Sequence, residues 1–105
     1  MQVGKDFHIW FERSGGFGGM TLKTEIDSDS LTSDELENIH QWIEQMHFFE
    51  VQISDSLSLG QPDQFTYKIK LESDDKSRSL EFNDSTIPVN FNPLVRYLVK
   101  KARSR

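Results

Sequence analysis

Cysteine is absent from the 105-residue chain. Disulfides, thiolate nucleophiles and Cys-ligated zinc or iron–sulfur sites are therefore excluded. Apolar residues are sparse, at 35% of the chain against 28% charged. No apolar run approaches the roughly 18 residues that cross a bilayer, so no membrane partner is expected. The segment from Met1 to Asp6 has no apolar stretch of the kind that opens a signal peptide. A cytoplasmic protein is expected on that ground, with export by another route left open. Against these shortages stand eight Phe and an aromatic content of 11%, which argue for a real core rather than disorder. A chain of this length fits a single domain, expected to span residues 1–105, and removes roughly two-thirds of its unfolded surface from water.

Positive charge is missing from one long stretch. No Lys or Arg occurs between Lys23 and Lys68, while ten carboxylates do. The seven remaining acids share the rest of the chain with all twelve bases, and Arg96, Lys100, Lys101, Arg103 and Arg105 crowd the last ten residues. A solvated acidic helix face and a basic helix end account for this. Two patches of opposite sign that steer a partner through their long-range field account for it too. The net charge of −5 makes nucleic acid a poor candidate, because such binding rests on neutralising phosphates.

Phe7, Ile9 and Phe11 alternate with His8, Trp10 and Glu12, which is the period of a strand. The run Ser14-Gly15-Gly16-Phe17-Gly18-Gly19 interrupts it, and Met20, Leu22 and Ile26 resume it, predicting a β-hairpin with a glycine-rich connection. Thr32 and Glu35 have the spacing of a capping box, flanked by Leu31 and Leu36 as a hydrophobic staple. Leu36, Ile39, Ile43 and Met46, with Trp42 alongside, then give the apolar stripe of a helix expected over residues 33–47. A short strand is expected through Phe49, Val51 and Ile53, followed by a loop to Gln64. Phe65, Tyr67, Ile69 and Leu71 mark a half-buried strand that turns at Ser73–Lys76 and returns through Leu80 and Phe82. Asn92-Pro93 reads as a cap with Pro at the first helical position, opening a helix with Leu94, Val95, Leu98, Val99 and Ala102 on its apolar face. The expected class is α+β: an antiparallel sheet built from two hairpins, with two helices packed on one face.

Few of these residues form a chemical constellation. His40, Glu44 and His47 share a helix face, and Glu44 and His47 have the Glu-x-x-His spacing of carboxylate-bridged metal sites, but such sites draw ligands from several helices. The His-Glu-x-x-His arrangement is absent. His8 reads as a surface strand residue, not a general base. No Ser is set beside a His and an acid, and Asp74-Asp75 are better explained by a wet hairpin turn than by a catalytic pair. No enzyme, cofactor or metal is expected. The glycines are not a phosphate loop, since they join two strands and no Lys follows them. Phe17 is the unusual feature: a large apolar side chain between two Gly pairs, where an exposed aromatic would fill a partner's pocket.

The segment Phe11-Glu12-Arg13-Ser14-Gly15-Gly16-Phe17-Gly18-Gly19-Met20 resembles the N-terminal signature of the emfourin family, small bacterial inhibitors of protealysin and related thermolysin-like zinc metallopeptidases. The likeness continues through Thr21–Asp27 into the helix start at Leu31–Glu35, and extends to Phe48-Phe49, Phe65-Thr66-Tyr67 and the basic final helix. Two departures are visible: Met1–His8 runs slightly longer than the family pattern, and Gly18 replaces a slightly larger small residue.

The resemblance implies a monomeric inhibitor whose partner is a thermolysin-like peptidase. It implies a contact surface made of Arg13, Ser14, Gly15, Gly16, Phe17, Gly18, Gly19 and Met20. Phe17 would fill the apolar subsite beside the scissile bond, and Arg13 would pair with Glu12 or Glu25 or reach an enzyme carboxylate. A non-inhibitory interaction module, such as a chaperone or regulator of a partner enzyme, is the alternative at this point.

Overall fold

The computed structural model describes residues 6–15, 21–51, 64–73 and 76–103. Four strands form one antiparallel sheet: β1 (Phe7–Gly15), β2 (Leu22–Asp27), β3 (Phe65–Ser73) and β4 (Lys76–Asn83), in the order β2-β1-β3-β4. Each hairpin pairs with itself, and β1 joins them by pairing with β3 along its whole length, from Phe7↔Ser73 to Gly15↔Phe65. The fold is α+β, with helices α1 (Ser33–Met46) and α2 (Asn92–Arg103).

Strand alternation decides which side chains are buried. Phe7, Ile9 and Phe11 face the same side as Ile26, Ile69, Leu71, Leu80 and Phe82, and all are buried. They share one core with Ile39, Ile43 and Met46 of α1 and Leu94, Val95 and Leu98 of α2, so both helices cover one sheet face. The opposite face carries Trp10 at its centre, capped by the Lys70 ammonium 5.0 Å from the ring and by the His8 ring at 4.1 Å.

Helix α1 begins with the capping box read from the sequence. Glu35 N–H donates to Thr32 Oγ1 at 3.2 Å, and Thr32 N–H donates to Glu35 Oε1 at 3.1 Å. The same carboxylate ties the two helices together, because Glu35 Oε2 accepts from the Tyr97 hydroxyl at 2.6 Å and meets Lys101 Nζ at 3.1 Å. These donors, led by the Tyr97 hydroxyl, hold Glu35 down to about 2. In return, burial and the Glu35 charge push the Tyr97 hydroxyl up.

Two local expectations change. His47 enters the left-handed region at φ 50° and ends α1, and Glu50 N–H and Val51 N–H both fold back to the His47 carbonyl. A turn therefore replaces the expected strand start at Phe49 and Val51; Phe48 drops into the core against Phe91, and Ile53 lies outside the described residues. Asn92 is already helical, at φ −55° and ψ −44°, because a 3-10 turn over Val89–Phe91 precedes it and buries Phe91. It is the first residue of α2 and not its cap.

Candidate functional site

The glycine-rich connection leaves the sheet from the end of β1. β2 starts at Leu22, opposite Arg13, so Ser14 and Gly15 extend past it and, among the described residues, are paired only with β3, as Ser14↔Thr66 and Gly15↔Phe65. Gly15 has φ +99°, and a Cβ there would stand 2.9 Å from the Gln64 carbonyl oxygen. Both facts require glycine: an L side chain strains at this φ, and the neighbouring backbone leaves no room. Of the expected contact residues, Arg13, Ser14 and Gly15 sit together on this strand end. Gly16, Phe17, Gly18, Gly19 and Met20 lie outside the described residues.

Arg13 takes a different partner from those expected. Its guanidinium lies 4.1 Å above the Phe65 ring. Glu12 and Glu25 are not available to it for a simple reason. Arg13 follows Phe7, Ile9 and Phe11 onto the helix-covered face, whereas Glu12 and Glu25 follow Trp10 onto the other.

Phe65 is in turn braced from below. The turn at Asn83–Thr86 is closed by Asn83 Oδ1, which accepts from Ser85 N–H at 2.8 Å and Thr86 N–H at 3.0 Å. That turn aims Asp84 at β3. One Asp84 oxygen accepts from Phe65 N–H at 3.0 Å and the other from the Tyr67 hydroxyl at 2.8 Å. Burial, together with the Asp84 carboxylate, pushes the Tyr67 hydroxyl up to about 12. The loop base is thus a chain of fixed contacts, Gly15 to Phe65 to Asp84.

Phe65, Tyr67 and Asp84 are the site residues that reading along the chain missed as a group. The polar run Asn83-Asp84-Ser85-Thr86 signals a turn, but only the β3–β4 and β1–β3 registers together bring it beside the end of β1. The other candidates are not drawn together. His40 packs against the Phe7 ring at 5.3 Å while His47 is exposed, and His8 lies on the open sheet face between Glu25 at 3.8 Å and Asp27 at 3.7 Å. Among the described residues no group of three or more His, Asp or Glu side chains is placed to hold a metal ion, and no helix is long and apolar enough to cross a membrane.

No curated protein sequence matches the chain. Among solved structures, emfourin from Serratia proteamaculans, an M4 family peptidase inhibitor, is similar at 17% identity over 88% of each chain, with a TM-score of 0.49. The family model Emfourin matches residues 11–99, from the middle of β1 almost to the end of α2. The chain belongs to the emfourin family.

Proposed function

We propose that the protein inhibits thermolysin-like, protealysin-type zinc metallopeptidases by occluding the active-site cleft with the β1–β2 connection and neighbouring surface. The observation that carries this reading is the family match over residues 11–99, which covers the end of β1, all of β2 and α1, and most of α2. Emfourins are peptidase inhibitors, not enzymes.

The chemistry of the connection suits the task. Thermolysin-like enzymes favour large apolar side chains beside the scissile bond, and Phe17 is the one such residue among the four glycines of the loop. The glycines let backbone enter a narrow cleft. A Gly-Gly-Phe segment is also a good substrate, so inhibition depends on how its ends are held. The support for an inhibitor over a substrate is the braced base: Gly15 is locked against Gln64 and Phe65, and Phe65 is fixed by Asp84. A held loop loses less conformational entropy on binding. Steric blockage needs no direct zinc ligand from this chain.

The test is a peptide-cleavage assay in which the protein is titrated into a thermolysin-like peptidase. Activity should vanish near stoichiometric protein, with the competitive pattern of a ligand that shares the substrate site. Undiminished cleavage at saturating protein would overturn the proposal and leave a non-inhibitory interaction module in its place.

A further inference from the structure

Beside the loop base, on the helix-covered side of the sheet, a cleft of about 440 Å³ opens between the ends of β1 and β3 and the length of α2. Tyr67, Val95 and Val99 give it apolar walls, and Arg13, Arg96, Lys100 and Arg103 surround it with four cations. The single carboxylate at the cleft, Asp84, has both oxygens engaged by Phe65 N–H and the Tyr67 hydroxyl. Among the described residues, no ion pair reaches Arg96, Lys100 or Arg103.

The demands of the fold explain these cations only in part. Lys101 is spent on Glu35, where it helps join the helices. Lys100 and Arg103 suit the negative end of the helix dipole, but Arg96 lies too early in α2 to benefit. Arg96, Lys100 and Arg103 also stand at i, i+4 and i+7, on one helix face, where like charges repel. An acidic partner laid along the stripe would relieve that repulsion.

We infer that this cleft receives an acidic surface segment of the peptidase, as a second contact beside the loop. The inference rests on the inhibitor reading above. Three guanidinium groups favour carboxylates, which they bind in a planar, two-pronged geometry. The valine and tyrosine walls would cover the methylenes of a Glu or Asp side chain. Arg13 belongs to both features, two residues before Gly15, so cleft and connection meet the same partner. The cleft also supplies area that one loop lacks, since a stable interface buries on the order of 1,600 Å² in total. Its charge opposes that of the chain as a whole, which carries a net −5. A chain so polarised turns its basic end toward an acidic partner during approach.

The experiment measures association rate constants for inhibition of a thermolysin-like peptidase, at 50 and 500 mM salt, for three full-length proteins. These are the wild type, the cleft variant Arg96→Glu/Lys100→Glu, and the control Lys23→Glu/Lys68→Glu, which makes the same charge change on the opposite sheet face. Melting temperatures of the three confirm folding, since all four side chains are exposed. The wild-type rate should fall with salt, and the cleft variant should associate at least tenfold more slowly at 50 mM with a flattened salt dependence. The control should stay within about twofold of wild type. If the wild type inhibits but the two variants behave alike, the inference falls while the inhibitor reading stands. If the wild type fails to inhibit at saturation, both fall. If Arg96→Glu/Lys100→Glu instead dissolves a dimer in sedimentation, or abolishes salt-sensitive retention on DNA, without changing inhibition, the cleft serves a second copy or a nucleic acid and the inference is overturned.

Discussion

Replacing Gly15 with alanine tests the loop base most directly. Gly15 sits at φ +99°, where an L residue costs about 1–2 kcal/mol. The new Cβ would also meet the Gln64 carbonyl oxygen at 2.9 Å, a contact that real Cβ atoms avoid. Relief requires the Gln64–Phe65 backbone to move, yet Phe65 N–H is tied to Asp84 and its ring lies under Arg13. Bending angles and peptide planes instead adds about 1 kcal/mol. The total, about 2–3 kcal/mol, corresponds to a fall in melting temperature of roughly 10–20 °C for a domain of this size.

Differential scanning calorimetry reads that fall, and inhibition of a thermolysin-like peptidase should weaken in parallel, because the connection would leave β1 in a new direction. Gly15→Asn separates the two causes. Asparagine tolerates positive φ better than alanine but keeps the Cβ, so equal losses in both variants assign the cost to the contact with Gln64. A Gly15→Ala protein that melts within 2 °C of wild type, on the order of a few tenths of a kcal/mol, would refute both the left-handed geometry and the close approach.

Phe17→Ala should raise the inhibition constant at least tenfold, about 1.4 kcal/mol, and leave the melting temperature nearly unchanged; wild-type affinity would remove Phe17 from the contact surface. Asp84→Ala leaves the Phe65 N–H and the Tyr67 hydroxyl without their acceptor and should cost about 1–3 kcal/mol in urea unfolding, with the Phe65 amide exchanging faster in hydrogen exchange. Glu35, held down to about 2, stabilises the fold above the ordinary carboxylate range; that contribution, about 1–2 kcal/mol after allowance for solvent screening, is lost as pH falls from about 5 toward 2, and Glu35→Gln should flatten the acid limb of a stability–pH curve. Tyr67, pushed up to about 12, acts in the opposite direction: its contribution is complete below pH 10 and disappears as pH rises toward 12, so Tyr67→Phe should blunt alkaline unfolding followed by circular dichroism.

Local signals were legible because their physics is local. Thr32 and Glu35 are three residues apart, and the hydrogen bonds they make depend on nothing beyond that turn. Phe7, Ile9 and Phe11 showed their buried side through alternation alone. Phe48 was harder, since the left-handed turn at His47 is not a glycine and carries no compositional mark. The partnership of Arg13 with Phe65 spans 52 residues of chain and exists only because β1 pairs with β3. No periodicity encodes which two hairpins lie side by side. Strand parity alone separates Arg13 from Glu12, but the place of Glu25 on the open face needs the β1–β2 register. The cationic stripe of α2 was visible as composition. That Arg13 joins it required the sheet order and the packing of α2 beside it.

If the connection fills the cleft as proposed, where its two ends are tied gives a reason for it to block a peptidase instead of feeding it. On one side, Arg13, Ser14 and Gly15 remain in ladder register with Tyr67, Thr66 and Phe65. On the other, Leu22 is paired with Arg13 and the rest of β2 runs on beside β1. A cut anywhere in residues 16–20 would leave each new end attached to the same sheet. An ordinary substrate gains freedom when its halves separate, and that gain drives product release. Here the halves would have nowhere to go, so cleavage would gain little entropy and the cleft would stay filled. On the proposed occlusion reading, the brace from Gly15 through Phe65 to Asp84 belongs to the inhibitory mechanism, because loosening it would let a cut end fray away and turn the inhibitor back into a substrate.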